Sequence, residues 1–209
     1  MGIRTSAVLG AAMLMAAIRP LSAEDMPLFK VISPIFSQLV AFSMPARFVT
    51  VFENTSKGHY TREAVPKGEN TERWTEMITV TGEKGLSGNA DMTPEKFAGS
   101  IGDGFKRACP DSFAENPLGA RKFGDADAFV AVVGCGKAGD HSETALIAVI
   151  KGSADYYTIQ WAERGNTMGE PPVKDGKWTE RLAKLQPIAV CPIVPGEAAP
   201  YPSCIGKNK

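Results

Sequence analysis

Two histidines are the only imidazoles in the chain, and one sits in acidic company. His141 stands beside Asp140 and two residues before Glu143, an arrangement that could shuttle a proton or hold a weakly bound metal. A nucleophile–histidine pair also needs an activatable hydroxyl or thiol. No serine occupies a G-x-S-x-G elbow, and the four cysteines are expected in disulfides, so His141 and His59 read as loop histidines. The alternative is a secreted hydrolase using His141 with Asp140 or Glu143. Glu63, Glu69, Glu72 and Glu76 cluster with Arg62 and Arg73. A glycosidase-type carboxylate pair could hide there, but a solvated charged face is the simpler reading. Aromatic side chains form the third group. Tyr156, Tyr157, Trp161, Trp74 and Trp178 could line a groove for a ligand or peptide, although filling a core is their commoner use.

The run Gly134-Cys135-Gly136-Lys137-Ala138-Gly139 matches G-x-G-x-x-G after an apolar strand. Dinucleotide binding also requires a helix to open at that loop. The next segment, ETALIAVIKG, reads as strand, so the glycines are expected to serve a strand connection and no cofactor is implied. Neither a C-x-x-C pair nor histidines at ligand spacing are present, so no metal site is expected. The charges cancel at 23 basic against 23 acidic residues, which points away from nucleic acid. Asn54-Thr55-Ser56 fits the N-glycosylation pattern, which carries information only in a eukaryotic host.

The N-terminus carries an address. Arg4 precedes a 12-residue apolar run from Ala7 to Ile18, and Leu21-Ser22-Ala23 offers small residues for signal peptidase. Such a run spans about 18 Å as helix, short of the ~30 Å hydrocarbon core, so a cleaved signal peptide over residues 1–23 is expected. Removing 23 of the 209 residues leaves 186, which suit a single domain (24–209), and takes Arg4 and Arg19 from the basic count. No later stretch is long and apolar enough to span a bilayer, so a periplasmic or secreted soluble product is expected. Four cysteines in an exported chain argue for two disulfides among Cys109, Cys135, Cys191 and Cys204. Three pairings are open. Cys191–Cys204 is favoured because the intervening tail carries four prolines and little else to hold it; closing it contributes about 3 kcal/mol. Cys109–Cys135 then follows by elimination.

Several elements must position these groups. Ser142 to Glu163 reads as a hairpin broken at Ser153-Ala154-Asp155. Its first arm is a continuous apolar run, and its second alternates, with Tyr157, Ile159 and Trp161 on one face. Strands are also predicted over Gln38–Ser43, Arg47–Glu53, His59–Val65 and Asp127–Gly134. In Arg47–Glu53, Phe48, Thr50 and Phe52 are placed opposite Val49 and Val51. Thr93 caps a helix opened by Pro94 and ended by Pro110, and Asp175 caps a second carrying Trp178, Leu182 and Leu185. Residues 24–34 read as a weakly patterned lead-in. Residues 69–81 read as a helical turn bearing Trp74, Met77 and Ile78 that leads into a strand, and 82–91 as a polar loop. Residues 112–123 are irregular with an edge strand, and 135–141 a loop. Strands joined by short turns imply an α+β domain, a mostly antiparallel sheet with helices packed on it.

HYTREAVPKGENTERWTEMITVTG (residues 59–82) resembles a block found in small exported proteobacterial proteins of unassigned function. DYYTIQWAER, WTERLAKLQPIAVCPI and the closing PSC look like the latter half of the same group. The order of elements is also similar to the PsbP/Mog1-like α/β sandwich. These resemblances imply an envelope or secreted location and supply no catalytic residues. The resulting expectation is an exported non-catalytic module that binds an unidentified envelope protein or small ligand. Its candidate site comprises His141, Asp140, Glu143, Trp74, Tyr157 and Trp161.

Overall fold

A computed structural model of the chain describes residues 27–205; the expected signal peptide at 1–23 lies outside the described residues. Ten strands and three helices follow in the order β1 (Leu28–Ile35), β2 (Gln38–Pro45), β3 (Phe48–Ser56), β4 (His59–Pro66), β5 (Glu76–Glu83), α1 (Pro94–Ala108), β6 (Phe113–Phe123), β7 (Ala126–Ala138), β8 (His141–Lys151), β9 (Tyr156–Asn166), α2 (Lys177–Leu185), β10 (Ala189–Pro192) and α3 (Pro202–Ile205). Seven strands form one sheet in the order β3-β4-β5-β9-β8-β7-β6, and β1-β2-β10 form a second. Every pairing is antiparallel. The α+β expectation is therefore corrected. Strand dominates, and the helices are only 15, 9 and 4 residues long, so this is a sheet-rich molecule and not an evenly mixed sandwich. Short turns join β1 to β2, β2 to β3, β3 to β4, β6 to β7, β7 to β8 and β8 to β9, so most of the chain is spent on strand.

The apolar run of β8, an interior strand of the large sheet beside the central β9, is covered on both faces. Leu146, Ala148 and Ile150 meet Val40 and Phe42 of β2 and Trp178, Leu182 and Leu185 of α2. Ala145, Ile147 and Val149 meet Ala98, Ile101 and Phe105 of α1 on the opposite side. Val40 and Phe42 face the large sheet, whereas Leu39 and Ala41 turn outward to Cys191, Cys204 and Tyr201. The C-terminal tail thus covers the outer face of the small sheet, held by the Cys191–Cys204 bond. The second bond, Cys109–Cys135, ties the end of α1 to β7. The N-terminal cap of α1 matches the sequence: Thr93 Oγ1 accepts from Lys96 N–H at 3.2 Å, with Pro94 in the first turn.

The break between β8 and β9 is locked by one carboxylate. Asp155 accepts the Ser37 N–H and O–H, the Gly85 N–H at 2.7 Å and the Tyr157 O–H at 3.2 Å. It thereby joins the β1–β2 turn, the loop after β5 and the β8–β9 turn. Burial alone would raise its pKa, but these donors prevail and hold it below the usual carboxylate value.

Several local expectations change. Residues 28–35 are strand, because β2 is covered on both faces and needs hydrogen-bonded neighbours on each side. No helical turn forms before β5. Met77 and Ile78 belong to opposite faces of that strand, as period-two geometry requires. Strand β5 extends to Glu83, into the segment read as a polar loop. In β3 a bulge between Thr50 and Phe52 moves Phe52 to the face of Val49, away from Phe48 and Thr50. Residues 113–123 form a regular edge strand with its own bulge, and β7 runs on to Ala138, leaving only a tight turn before His141.

Candidate functional site

A cleft of about 590 Å³ opens at one end of the large sheet, on the side that carries α1. One wall is the loop from Gly68 to Thr75. The other is the start of β8 and the end of β9, where His141, Arg164 and Gly165 come together. The register explains this convergence: Glu143 lies opposite Arg164, and His141 opposite Asn166, in the β8–β9 ladder. Pro66-Lys67-Gly68 stops β4, and the loop then folds back under two side-chain caps. Asn70 Oδ1 accepts from the N–H groups of Glu72 and Arg73 at 3.0 and 2.9 Å. Glu69 accepts both the N–H and the O–H of Thr75 at 2.7 Å.

Trp74 forms the floor. It is 92% buried and joins the apolar cluster beneath α1. The Arg164 guanidinium lies 3.8 Å from its ring centroid. Arg164 Nε also donates to Glu143 Oε2 at 3.1 Å. Cation–π contact and ion pair together fix the guanidinium over the indole. The Trp74 indole N–H donates to no group among the described residues and is not sealed from the cleft.

His141 is held between acids: Nδ1 lies 3.0 Å from Asp140 Oδ1 and Nε2 lies 3.9 Å from Glu143 Oε2. Asp140 is fully exposed, and its contact with His141 lowers its pKa. Ser142 points to the other face of β8, all four cysteines are disulfide-bonded, and Thr75 Oγ1 is spent on Glu69. No hydroxyl or thiol nucleophile is therefore presented to His141 within the described lining.

The remaining candidates disperse. Tyr157 and Trp161 are fully buried on the opposite face of β9, in the core against the small sheet. Tyr157 O–H contacts Ile35 O and Asp155, and burial raises its pKa. Tyr156 lies under α1, edge-on to Phe97. Of the six residues expected to make the site, His141, Asp140, Glu143 and Trp74 lie at or beside one cleft, and Tyr157 and Trp161 do not. Arg164 was not singled out in the sequence; the alternation of β9, continued past Trp161, places it on the cleft face. Arg73, grouped with the glutamates in the sequence, stands on the loop wall of the cleft.

The glutamates separate as well. Glu76 pairs with Arg47, Glu69 caps Thr75, and Glu63 lies on β4. Arg62 turns to the small sheet, bonded to Ser33 and 5.9 Å from the Phe42 ring centre. His59 is bound by Glu83 and by Thr61, 2.8 Å away. The glycine-rich run has a packing explanation. A Cβ on Gly136 would sit 2.3 Å from the Met168 carbonyl oxygen, and Gly139 takes φ +73° in the turn before β8.

No family model matches the chain, and no curated protein matches it. Solved structures do. A point mutant of Protein Mog1 aligns over 80% of this chain and 97% of its own, at 12% identity and a TM-score of 0.53. The Ran-binding protein Mog1p of Saccharomyces cerevisiae aligns over 77% and 87%, at 11% identity and a TM-score of 0.43. LpqN, involved in cell envelope biogenesis of Mycobacterium tuberculosis, aligns over 81% and 94%, at 10% identity and a TM-score of 0.40. The first of these likenesses shows that the chain has a Mog1-like fold.

Proposed function

We propose that the protein is an exported, non-catalytic binding module of the bacterial envelope, with the cleft at Trp74, Arg164 and His141 as its ligand site. The observation that carries this reading is the pairing of unspent donors, the Trp74 indole N–H and the outer Arg164 nitrogens, with an open cleft that offers no nucleophile. Such donors suit a small ligand bearing acceptor groups, a carboxylate or a hydroxyl-rich molecule. Two disulfides accord with an oxidising compartment, and no helix among the described residues is long and apolar enough to cross a membrane. The resemblance to small exported proteobacterial proteins supports the same address.

A thermal-shift screen of small carboxylic acids and sugars tests the ligand site. Hits should disappear in Arg164→Ala, and hits that persist there would place binding elsewhere. Export is tested by mass spectrometry of protein recovered from its host. A mature start at Glu24 with a gain of about 4 Da on reduction, two hydrogens per bond, is expected; an intact N-terminus would refute it. The hydrolase alternative rests on His141 with Asp140 or Glu143. It requires that any hydrolysis detected be abolished in His141→Ala.

A further inference from the structure

The two ends of α1's side of the large sheet are unequally covered. Helix α1 packs over β6, β7 and β8. On β4 and β5 the same face buries Val65 and Met77 in a cluster with Trp74, and the rest of the β3–β5 half carries no helix. Across this open half one register row runs Phe52–Glu63–Thr79–Gln160, all on one face, before reaching Ile147 beneath the helix. Phe52 is 43% exposed and Val49, on the same face, is 39% exposed. Thr79 and Gln160 are half-buried. Between them sits Glu63, half-buried and with no hydrogen bond or ion pair among the described residues. Its pKa is raised by loss of hydration alone, with no nearby cation to offset it.

An unpaired, partly desolvated carboxylate beside exposed aromatic and β-branched side chains is costly for the isolated chain and complementary to a basic one. The opposite edge of the sheet contrasts with it. Strand β6, at the other end of the sheet, is blunted by Pro117 and a bulge next to Gly119. Strand β3 has a bulge but no proline over its nine residues. We infer that the open face of β3–β4–β5 is a docking surface for a basic, partly apolar segment of a partner protein, whose cation pairs with Glu63 while its apolar side chains pack on Phe52 and Val49. This inference does not depend on the cleft at Trp74.

The test is selection of a random peptide display library on the disulfide-bonded protein, followed by affinity measurement of the enriched peptides. Selected peptides should combine Arg or Lys with apolar residues, and binding should fall about tenfold in Glu63→Gln, the loss of one charge-assisted contact. Phe52→Ser should weaken the same peptides. A structural role for Glu63 predicts the opposite signature on stability. Because its folded-state pKa is raised, the ionised form opposes folding at neutral pH, so Glu63→Gln should melt no lower than the parent protein while binding less. Peptides without a basic residue, peptides whose affinity survives Glu63→Gln, or no enrichment at all would overturn the inference. A dimer in sedimentation that is abolished by Phe52→Ser would also overturn it, by assigning this face to a second copy of the chain.

Discussion

Two tryptophans of this molecule are each roofed by an arginine, and their surroundings differ in what is left over. Trp161 is fully buried under Arg181, 4.6 Å from its ring centre. Its indole donates to Glu76 Oε2 at 2.8 Å, Arg47 binds the other oxygen at 2.6 Å, and Arg181 and Lys177 both bind Glu163. Both carboxylates are engaged by protein donors, and the network ties the β2–β3 turn, β5, β9 and α2 together. Trp74, under Arg164, has the same pair of side chains but only Glu143 as a fixed acceptor, and its indole N–H faces open space. The same chemistry therefore staples the fold at one site and remains available at the other. A perturbed or charged cluster marks a site only when its donors are unspent.

Asp155, although outside both clusters, is the most heavily bonded carboxylate of the fold, and Asp155→Asn should cost about 3 kcal/mol, read as lowered denaturant resistance. Its pKa is lowered in the folded state, so its stabilisation is complete above the ordinary carboxylate value of 3.8 and is lost as pH falls through the depressed value. The variant should lack that acid-dependent limb. Glu76→Ala strands the Trp161 indole and loosens Arg47 and Arg181, and should cost about 2 kcal/mol in the same assay. If it costs nothing, the stapling role is wrong. On the open side, Arg164→Ala should cost under about 1 kcal/mol of stability while abolishing ligand-induced thermal shifts. The smallest effect belongs to His141→Ala, within about 0.5 kcal/mol on unfolding.

The central architecture was legible because it rests on periodicity. The unbroken apolar run from Ala145 to Ile150 demands cover on both faces, and Tyr157, Ile159 and Trp161 share a side as alternation requires. The helix at Thr93 announces itself by a cap and a proline, and the loop constraint on the proline-rich tail selects the Cys191–Cys204 bond that forms. Local pattern failed where long-range pairing decides. LFKVISPI has little signature of its own and becomes β1 by pairing residue for residue with β2. The bulge at Val51 reverses the face of Phe52 with no glycine or proline to announce it. The balance of helix and strand was misjudged because residues 113–123 and 135–138 are strand by virtue of their neighbours. The site was half visible. Neighbouring acids drew attention to His141, but the partners of Trp74 come from β8 and β9, about seventy to ninety residues away, a distance only the sheet register closes. Tyr157 and Trp161 were drawn into the candidate set by side-chain type alone.

The most direct measurement uses the three tryptophans as internal controls. Each indole N–H gives its own resonance in a nitrogen-correlated spectrum of the disulfide-bonded protein; those of Trp161 and Trp178 are bonded to Glu76 and to the Pro172 carbonyl. On titration with the hits of the carboxylate and sugar screen, the Trp74 indole should move in a saturable way while the other two hold still. A Trp74 signal that stays fixed through every titration, with hits that nevertheless bind, would contradict the assignment of this cleft as the ligand site.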